Sequence, residues 1–268
     1  MTDETRLRHV EHSMGTVFSF DIRLATDGDV DDHGERVRAG LAAAVAFLHR
    51  TDEVFSTYRQ DSQISRLARG ELALGDCAAD VTEVFECCEE EERLSEGWFT
   101  ARYDGGLDPT GLVKGWAVER AVSMLASSGA AAVCLGGGGD IQLHGGPWRV
   151  GISDPLHPGG LVAVVAADER LAVATSGPAE RGCHIVDPHT GAPPAEGFAS
   201  MTVVAPGLTQ ADARATAAYA MGAGAREWLE ELPDTEGFAV TMDGSTWQTS
   251  GFARHLAKTP HRPEGRAA

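Results

Sequence analysis

The sequence predicts an α+β fold: largely antiparallel mixed sheets with helices packed against them. Three observations carry that prediction. The second half is rich in short apolar stretches separated by Gly, Pro and Asp, the punctuation of strands in close succession. Long stretches with apolar residues at helical spacing supply the packing helices. Strands and helices do not alternate as βαβ units, which disfavours a doubly wound parallel sheet.

The elements follow in order. Residues 16–24 alternate, with Phe18, Phe20, Ile22 and Leu24 on one face and Ser19, Asp21 and Arg23 on the other, as in a half-buried strand. A helix is expected over 34–54 on the stripe Val37, Leu41, Val45 and Leu48. Asp80 with Glu83 looks like a capping box opening a helix to about Leu94, with the acidic run Glu89–Glu92 as its solvated face. Asp108-Pro109-Thr110-Gly111 is a turn and helix-start signal. Apolar residues then recur through Val113, Trp116, Ala117, Ala121 and Leu125, until Ser127-Ser128-Gly129 ends the helix. Strands are expected at 131–135, after Asp140, and at 148–152, 161–166, 171–175, 184–186, 201–205 and 238–241. One long helix over 210–231 interrupts them. Residues 1–11 read as a flexible N-terminus, 12–252 as one functional unit and 253–268 as a C-terminal tail.

Composition bounds the function. The 268 residues, 43% hydrophobic, can build one large domain or two lobes, and 32 glycines suggest tight turns. A formal charge of −18 argues against nucleic acid or an anionic membrane as partner, since both would be repelled, and no run approaches the length of a membrane span. A phosphate-bearing ligand needs local cations, and a bound metal is their natural companion. Five cysteines without C-x-x-C spacing support neither a zinc site nor a disulfide framework. Met1 to Val10 is charged and carries no apolar stretch, so no signal peptide or lipid anchor is read there and a cytoplasmic location is expected.

Several constellations could carry chemistry. Lys114, one of only two lysines, stands just inside the predicted helix start, where free N–H groups favour an anion. Asp212 and Thr216 lie four apart and project from one helix face; they offer hard oxygen ligands for Mg²⁺, or are a surface Asp and a core-facing Thr. His184, leading into Asp187-Pro188-His189-Thr190-Gly191, is either a general base or phosphate donor, or a histidine hydrogen-bonded beside the turn. Asp187 reads as a turn former. Gly136–Gly139 lacks dinucleotide-fingerprint spacing, and Gly111-Leu112-Val113-Lys114-Gly115 fails the P-loop pattern; these glycines either let backbone approach a ligand or make a β-turn. Tyr58, in Phe55-Ser56-Thr57-Tyr58-Arg59, offers a face for a planar ring or packs in the core. No serine-hydrolase elbow appears.

Together these segments resemble the ApbE family of FAD:protein FMN transferases. The matching pieces come in family order: Met14-Gly15-Thr16; Phe55–Arg59 with Ser62 and Ile64-Ser65-Arg66-Leu67; Leu107–Ala121; Gly138-Gly139-Asp140-Ile141 with Trp148–Ile152 and Asp154-Pro155; Ala174-Thr175-Ser176-Gly177; His184–Gly191; and Ala211–Ala217. The resemblance implies a two-lobed, T-fold-related unit that cuts FAD with Mg²⁺, releases AMP and passes FMN to a Ser or Thr hydroxyl of an acceptor flavoprotein. It also implies that the Val113 backbone oxygen and the side chains of Asp212 and Thr216 hold the metal. Thr110 and Trp116 would contact FAD from the helix start. Met14, Tyr58 and Ile185 would line its flavin or adenine part, and Trp98, Phe99 and Thr100 another wall. His184 is the candidate for proton transfer or leaving-group stabilisation, and Lys114 balances local negative charge.

The chain departs from the family pattern at Glu119, where Asp is common, at Gly136 (Asn), at Ala68 (Asn) and at Ala179 (an aromatic). Two alternatives stand beside the transferase: an Mg²⁺-dependent FAD pyrophosphatase that uses water as acceptor, and a flavin-binding protein without turnover.

Overall fold

A computed structural model describes residues 5–25, 30–103, 106–178, 185–194 and 197–258. Its strands begin with β1 (Arg6–Ser13), β2 (Thr16–Leu24), β3 (Arg102–Tyr103), β4 (Gly106–Leu107), β5 (Ala130–Gly137) and β6 (Asp140–His144). They continue with β7 (Trp148–Ser153), β8 (Leu161–Ala167), β9 (Leu171–Ser176), β10 (Phe198–Ala205), β11 (Glu236–Thr241) and β12 (Thr246–Gln248). The helices are α1 (Val30–Phe55), α2 (Gln63–Ala68), α3 (Ala79–Leu94), α4 (Thr110–Ser127), α5 (Leu208–Met221) and α6 (Ala225–Glu231).

Eight strands form one sheet in the order β1-β2-β5-β6-β9-β10-β11-β12, with every neighbouring pair antiparallel. β3–β4 and β7–β8 are separate two-stranded hairpins. The sheet carries two hydrophobic cores. One joins it to α1, α3, α4 and α5 through Phe18, Leu48, Phe99, Leu112, Met201 and Leu208. The other joins it to the β7–β8 hairpin through Trp148, Val150, Ile152, Val173, Val204 and Phe238. β10 runs between them and every one of its residues is buried. Its mostly apolar sequence, interrupted only by Ser200 and Thr202, reflects that double burial; β2 has one covered face and alternates. The α+β, antiparallel prediction therefore holds.

The glycine run makes the β5–β6 turn. Gly138 and Gly139, at φ 57° and 88°, occupy the two turn positions where side chains are disfavoured. Gly137 is required by space, because a Cβ there would stand 2.7 Å from the Phe18 ring.

Several expectations are corrected. Residues 6–11 are not a flexible terminus but most of β1, paired with β2 from Arg6↔Arg23 to Ser13↔Thr16. The Asp80/Glu83 capping box does not form: Asp80 takes a hydrogen bond from Arg50, Glu83 takes one from Trp116, and Ala78 N–H donates to Gln63 Oε1 at the start of α3. The acidic run is not wholly solvated. Glu91 continues the buried positions Val84 and Cys88 at helical spacing and turns inward. The long helix is two, because Gly222 adopts φ 67° and ends α5, with a short 3₁₀ turn before α6. Ile185 and Val186 are irregular rather than strand, and His184 lies outside the described residues. Part of the expected tail is ordered into the fold: Phe252–His255 is a 3₁₀ turn with Phe252 fully buried, and Leu256 bridges Val165.

Candidate active site

Two helices meet where Gly115 of α4 faces the start of α5. A Cβ on Gly115 would lie 2.6 Å from the Leu208 carbonyl oxygen and 3.0 Å from Asp212 Cβ, so only glycine permits this approach. The approach brings Lys114 to α5. Its Nζ donates to Asp212 Oδ2 at 2.9 Å and makes a short ion pair with Asp140 Oδ2 at the start of β6. Asp140 Oδ1 in turn accepts the Thr175 N–H of β9 at 2.8 Å. One ammonium thereby ties two helices and two strands together. Burial alone would lower the lysine's affinity for its proton. The Asp140 and Asp212 carboxylates outweigh that effect and hold the ammonium above the ordinary lysine range. Charge balancing, the role read for Lys114 from sequence, has these two carboxylates as its object.

α5 is held in orientation from both sides. No side chain of its own caps it, yet Leu208 N–H donates to Gln142 Oε1 (2.8 Å) and Thr209 N–H to Glu119 Oε2 (2.9 Å). Those acceptors satisfy N–H groups that a helix start leaves open. Glu119 also pairs with Arg170. Two residues beyond Asp212, and so on another face of the helix, Arg214 makes a bidentate pair with buried Glu91, both bonds 3.1 Å. Burial pushes the Glu91 carboxyl up, and Arg214 offsets that in part.

A cavity of about 770 Å³ opens beside this junction. Thr110, Gly111 and Lys114 of α4, Asp140, and Asp212 with Thr216 of α5 line it. Ser176 Oγ lies 3.4 Å from Thr216 Oγ1 at the same wall. Phe99, Thr100 and Ile185 line another part, and Val150, Ile152, Val173 and Ala199 supply an apolar part on the hairpin side. Carboxylate and hydroxyl oxygens a helical turn apart are hard donors, and they fit an ion such as Mg²⁺ that takes one or two protein carboxylates and leaves positions for phosphate oxygens. Among the described residues no three His, Cys, Asp or Glu side chains form a metal cluster.

The structure thus brings together Phe99, Thr100, Thr110, Ile185, Asp212 and Thr216 from the candidate residues. Others are not in the cavity lining. Val113 is buried in the helix-side core. Trp116 is buried against Phe47 and Phe55 and donates to Glu83 (3.0 Å). Tyr58 is 97% exposed, neither packed in the core nor in the cavity wall. Met14 packs against the core at φ 49°. Trp98 stacks edge-on with His189, 4.6 Å between ring centres, which leans the 185–194 segment against the residue preceding Phe99. Asp187 forms the turn expected of it, accepting the His189 N–H and the Thr190 hydroxyl. Sequence reasoning gave no role to Asp140, Ser176 or Ser200; only the Gly-Gly-Asp and Thr-Ser-Gly segments pointed toward the first two.

The ApbE family profile matches residues 14–105 and 100–239. The FAD:protein FMN transferase of Treponema pallidum is 30% identical over 168 residues, 54% of this chain and 46% of that protein. That of Escherichia coli K12 is 28% identical over 169 residues, 56% and 47% of the two chains. The chain spans about half the length of the curated relatives it matches. Among solved structures, the flavin transferase ApbE from Vibrio cholerae aligns with TM-score 0.77 at 20% identity, over 94% of this chain and 99% of that one. The ApbE protein of Thermotoga maritima aligns with TM-score 0.79 at 19% identity, over 94% and 100%. The fold is theirs.

Proposed function

The chain belongs to the ApbE family, and from that premise we propose that it transfers FMN from FAD to a Ser or Thr hydroxyl of an acceptor flavoprotein, with Mg²⁺ bound and AMP released. The observation that carries this reading is the cavity in which Asp212 and Thr216 face the same space as Lys114 and the first turn of α4. That arrangement sets hard oxygen donors beside positive charge, which is what cleavage of a pyrophosphate needs.

Asp212 and Thr216 would hold the metal, with the Val113 carbonyl as the third donor the family resemblance adds. A bound Mg²⁺ supplies charge neutralisation on phosphate oxygens. The chain's own groups do the rest. Lys114 fixes Asp140 and Asp212 in one geometry and adds a positive charge at the cavity wall. The α4 start presents Thr110 and Gly111, where the helix dipole favours an anion. Phe99 and Ile185 offer apolar surface to a ring and exclude water around it. His184 is proposed to move the proton of the acceptor hydroxyl or to stabilise the leaving group.

Incubation with FAD and Mg²⁺, with and without an acceptor flavoprotein, followed by mass analysis of nucleotides and protein, tests the reading. AMP together with flavin on the acceptor is expected. AMP plus free FMN in both arms would select the pyrophosphatase, and unchanged FAD would select a binder. Asp212→Ala is expected to abolish AMP release in a protein that retains its circular dichroism spectrum. Undiminished release would overturn the metal assignment.

A further inference from the structure

Ser200, in β10, is 5% exposed, and its Oγ is a buried polar side-chain atom without a hydrogen-bond partner among the described residues. It lines the same cavity, with Val150, Ile152, Val173 and Ala199 as the apolar part of that lining. We propose that the Ser200 hydroxyl is a specificity-determining contact that hydrogen-bonds the polar edge of a planar nitrogen heterocycle seated against these apolar side chains. The inference rests on the flavin-nucleotide reading above and deepens it.

Three physical points support it. A buried hydroxyl with no partner is destabilising, and alanine would fill the site without that penalty. Serine there is explained by a partner that arrives from the cavity. The surroundings are suited to a ring: aliphatic walls bury its faces, and one hydroxyl, both donor and acceptor, meets its edge. The surrounding backbone is also closely packed: a Cβ on Gly177 would press to 2.8 Å from the Ala199 carbonyl and stand 3.6 Å from Ser200 Cβ, so glycine there keeps further bulk away from Ser200. The nearby polar groups are occupied otherwise: Thr175 and Thr202 share a hydrogen bond of 2.9 Å, and Ser176 faces Thr216.

FAD carries two such rings, adenine and isoalloxazine, with the shared chemistry of a flat surface and a hydrogen-bonding edge. Titrations of FAD, AMP and FMN into the parent, Ser200→Ala and Ser200→Val, with EDTA present to prevent turnover, separate them; thermal melts of the free proteins accompany the titrations. Ser200→Ala should melt at or above the parent temperature and bind FAD about 3- to 10-fold more weakly, the range of one hydrogen bond. Ser200→Val, which places a methyl where the ring edge would come, should bind more weakly still. The loss should appear with AMP if adenine occupies the place and with FMN if the flavin does. FAD affinity of Ser200→Ala within twofold of the parent would overturn the proposal, as would a clear fall in its melting temperature, which would mean the hydroxyl has a partner in the free protein. A parent that binds no FAD, either in EDTA or with Mg²⁺, sinks the flavin reading and this inference with it, an outcome distinct from FAD binding that ignores Ser200.

Discussion

Replacing Lys114 by methionine removes the ammonium that pairs with both Asp140 and Asp212 while keeping much of the side chain's volume. The two carboxylates left behind are only 6% and 11% exposed. Breaking a buried ion pair by deleting one partner costs about 3–5 kcal/mol, because the remaining charge is stranded. Here two carboxylates lose the ammonium they share. Two features pull the other way: the cavity admits water, and Thr175 N–H still serves Asp140 at 2.8 Å. A loss near the lower end, about 3 kcal/mol, is therefore expected at neutral pH. For a chain of this size that corresponds to roughly 6–12 °C in melting temperature. Urea denaturation and thermal melting measure it directly. The same experiment with Mg²⁺ adds a second readout, since a cation should replace the missing ammonium and raise the variant's melting temperature more than the parent's. A loss below about 1 kcal/mol, with no extra response to Mg²⁺, would refute the view that Lys114 is the counter-charge organising this site.

Two further outcomes follow from the way α5 is held. Gly115→Ala adds a methyl 2.6 Å from the Leu208 carbonyl oxygen and should cost about 1–3 kcal/mol by overpacking, against an intrinsic helix preference that would favour alanine by about 1 kcal/mol; stability equal to or above the parent in urea titration would contradict the close α4–α5 approach. Arg214→Leu leaves Glu91 buried without its partner and should cost about 3–5 kcal/mol at pH 7. Burial already raises the Glu91 carboxyl, so the folded state holds that proton more tightly than the unfolded chain. The associated stability is present at low pH and lost as pH rises through the folded value. The deficit of the variant should accordingly shrink as pH is lowered toward 5, and a deficit independent of pH would argue that Glu91 is not stranded.

Local pattern made much of the fold legible. The alternation of Phe18, Phe20, Ile22 and Leu24 sets one face of β2 into the core, and the stripe through Val113, Ala117, Ala121 and Leu125 does the same for α4. β1 was missed because an edge strand covered on one side only, with the sequence Arg-Leu-Arg-His-Val-Glu-His-Ser, lacks a clean apolar face. The break between α5 and α6 was present in Gly222 and Gly224 but was outweighed by alanine-rich helix formers on either side. Glu91 was hidden by reading four glutamates as a block; its spacing from Val84 and Cys88 places it on the buried face.

The candidate site divides along the same line. The sequence by itself singled out several segments that line the cavity, because a helix start at Thr110, an i,i+4 pair at Asp212 and Thr216, and a turn of Gly138 and Gly139 are written within a few residues of chain. It also determined that Lys114 would have negative charge to balance. Tertiary structure alone decided what Lys114 balances: its partners lie 26 and 98 residues away and meet it only because Gly115 lets two helices close. It moved Trp116 into the core and left Tyr58 on the surface, since aromatic rings are compatible with either setting. It also brought Ser200 of a fully buried strand to the cavity wall. Periodicity reports which face of an element is buried; which distant side chains share that space is fixed by packing of the whole chain.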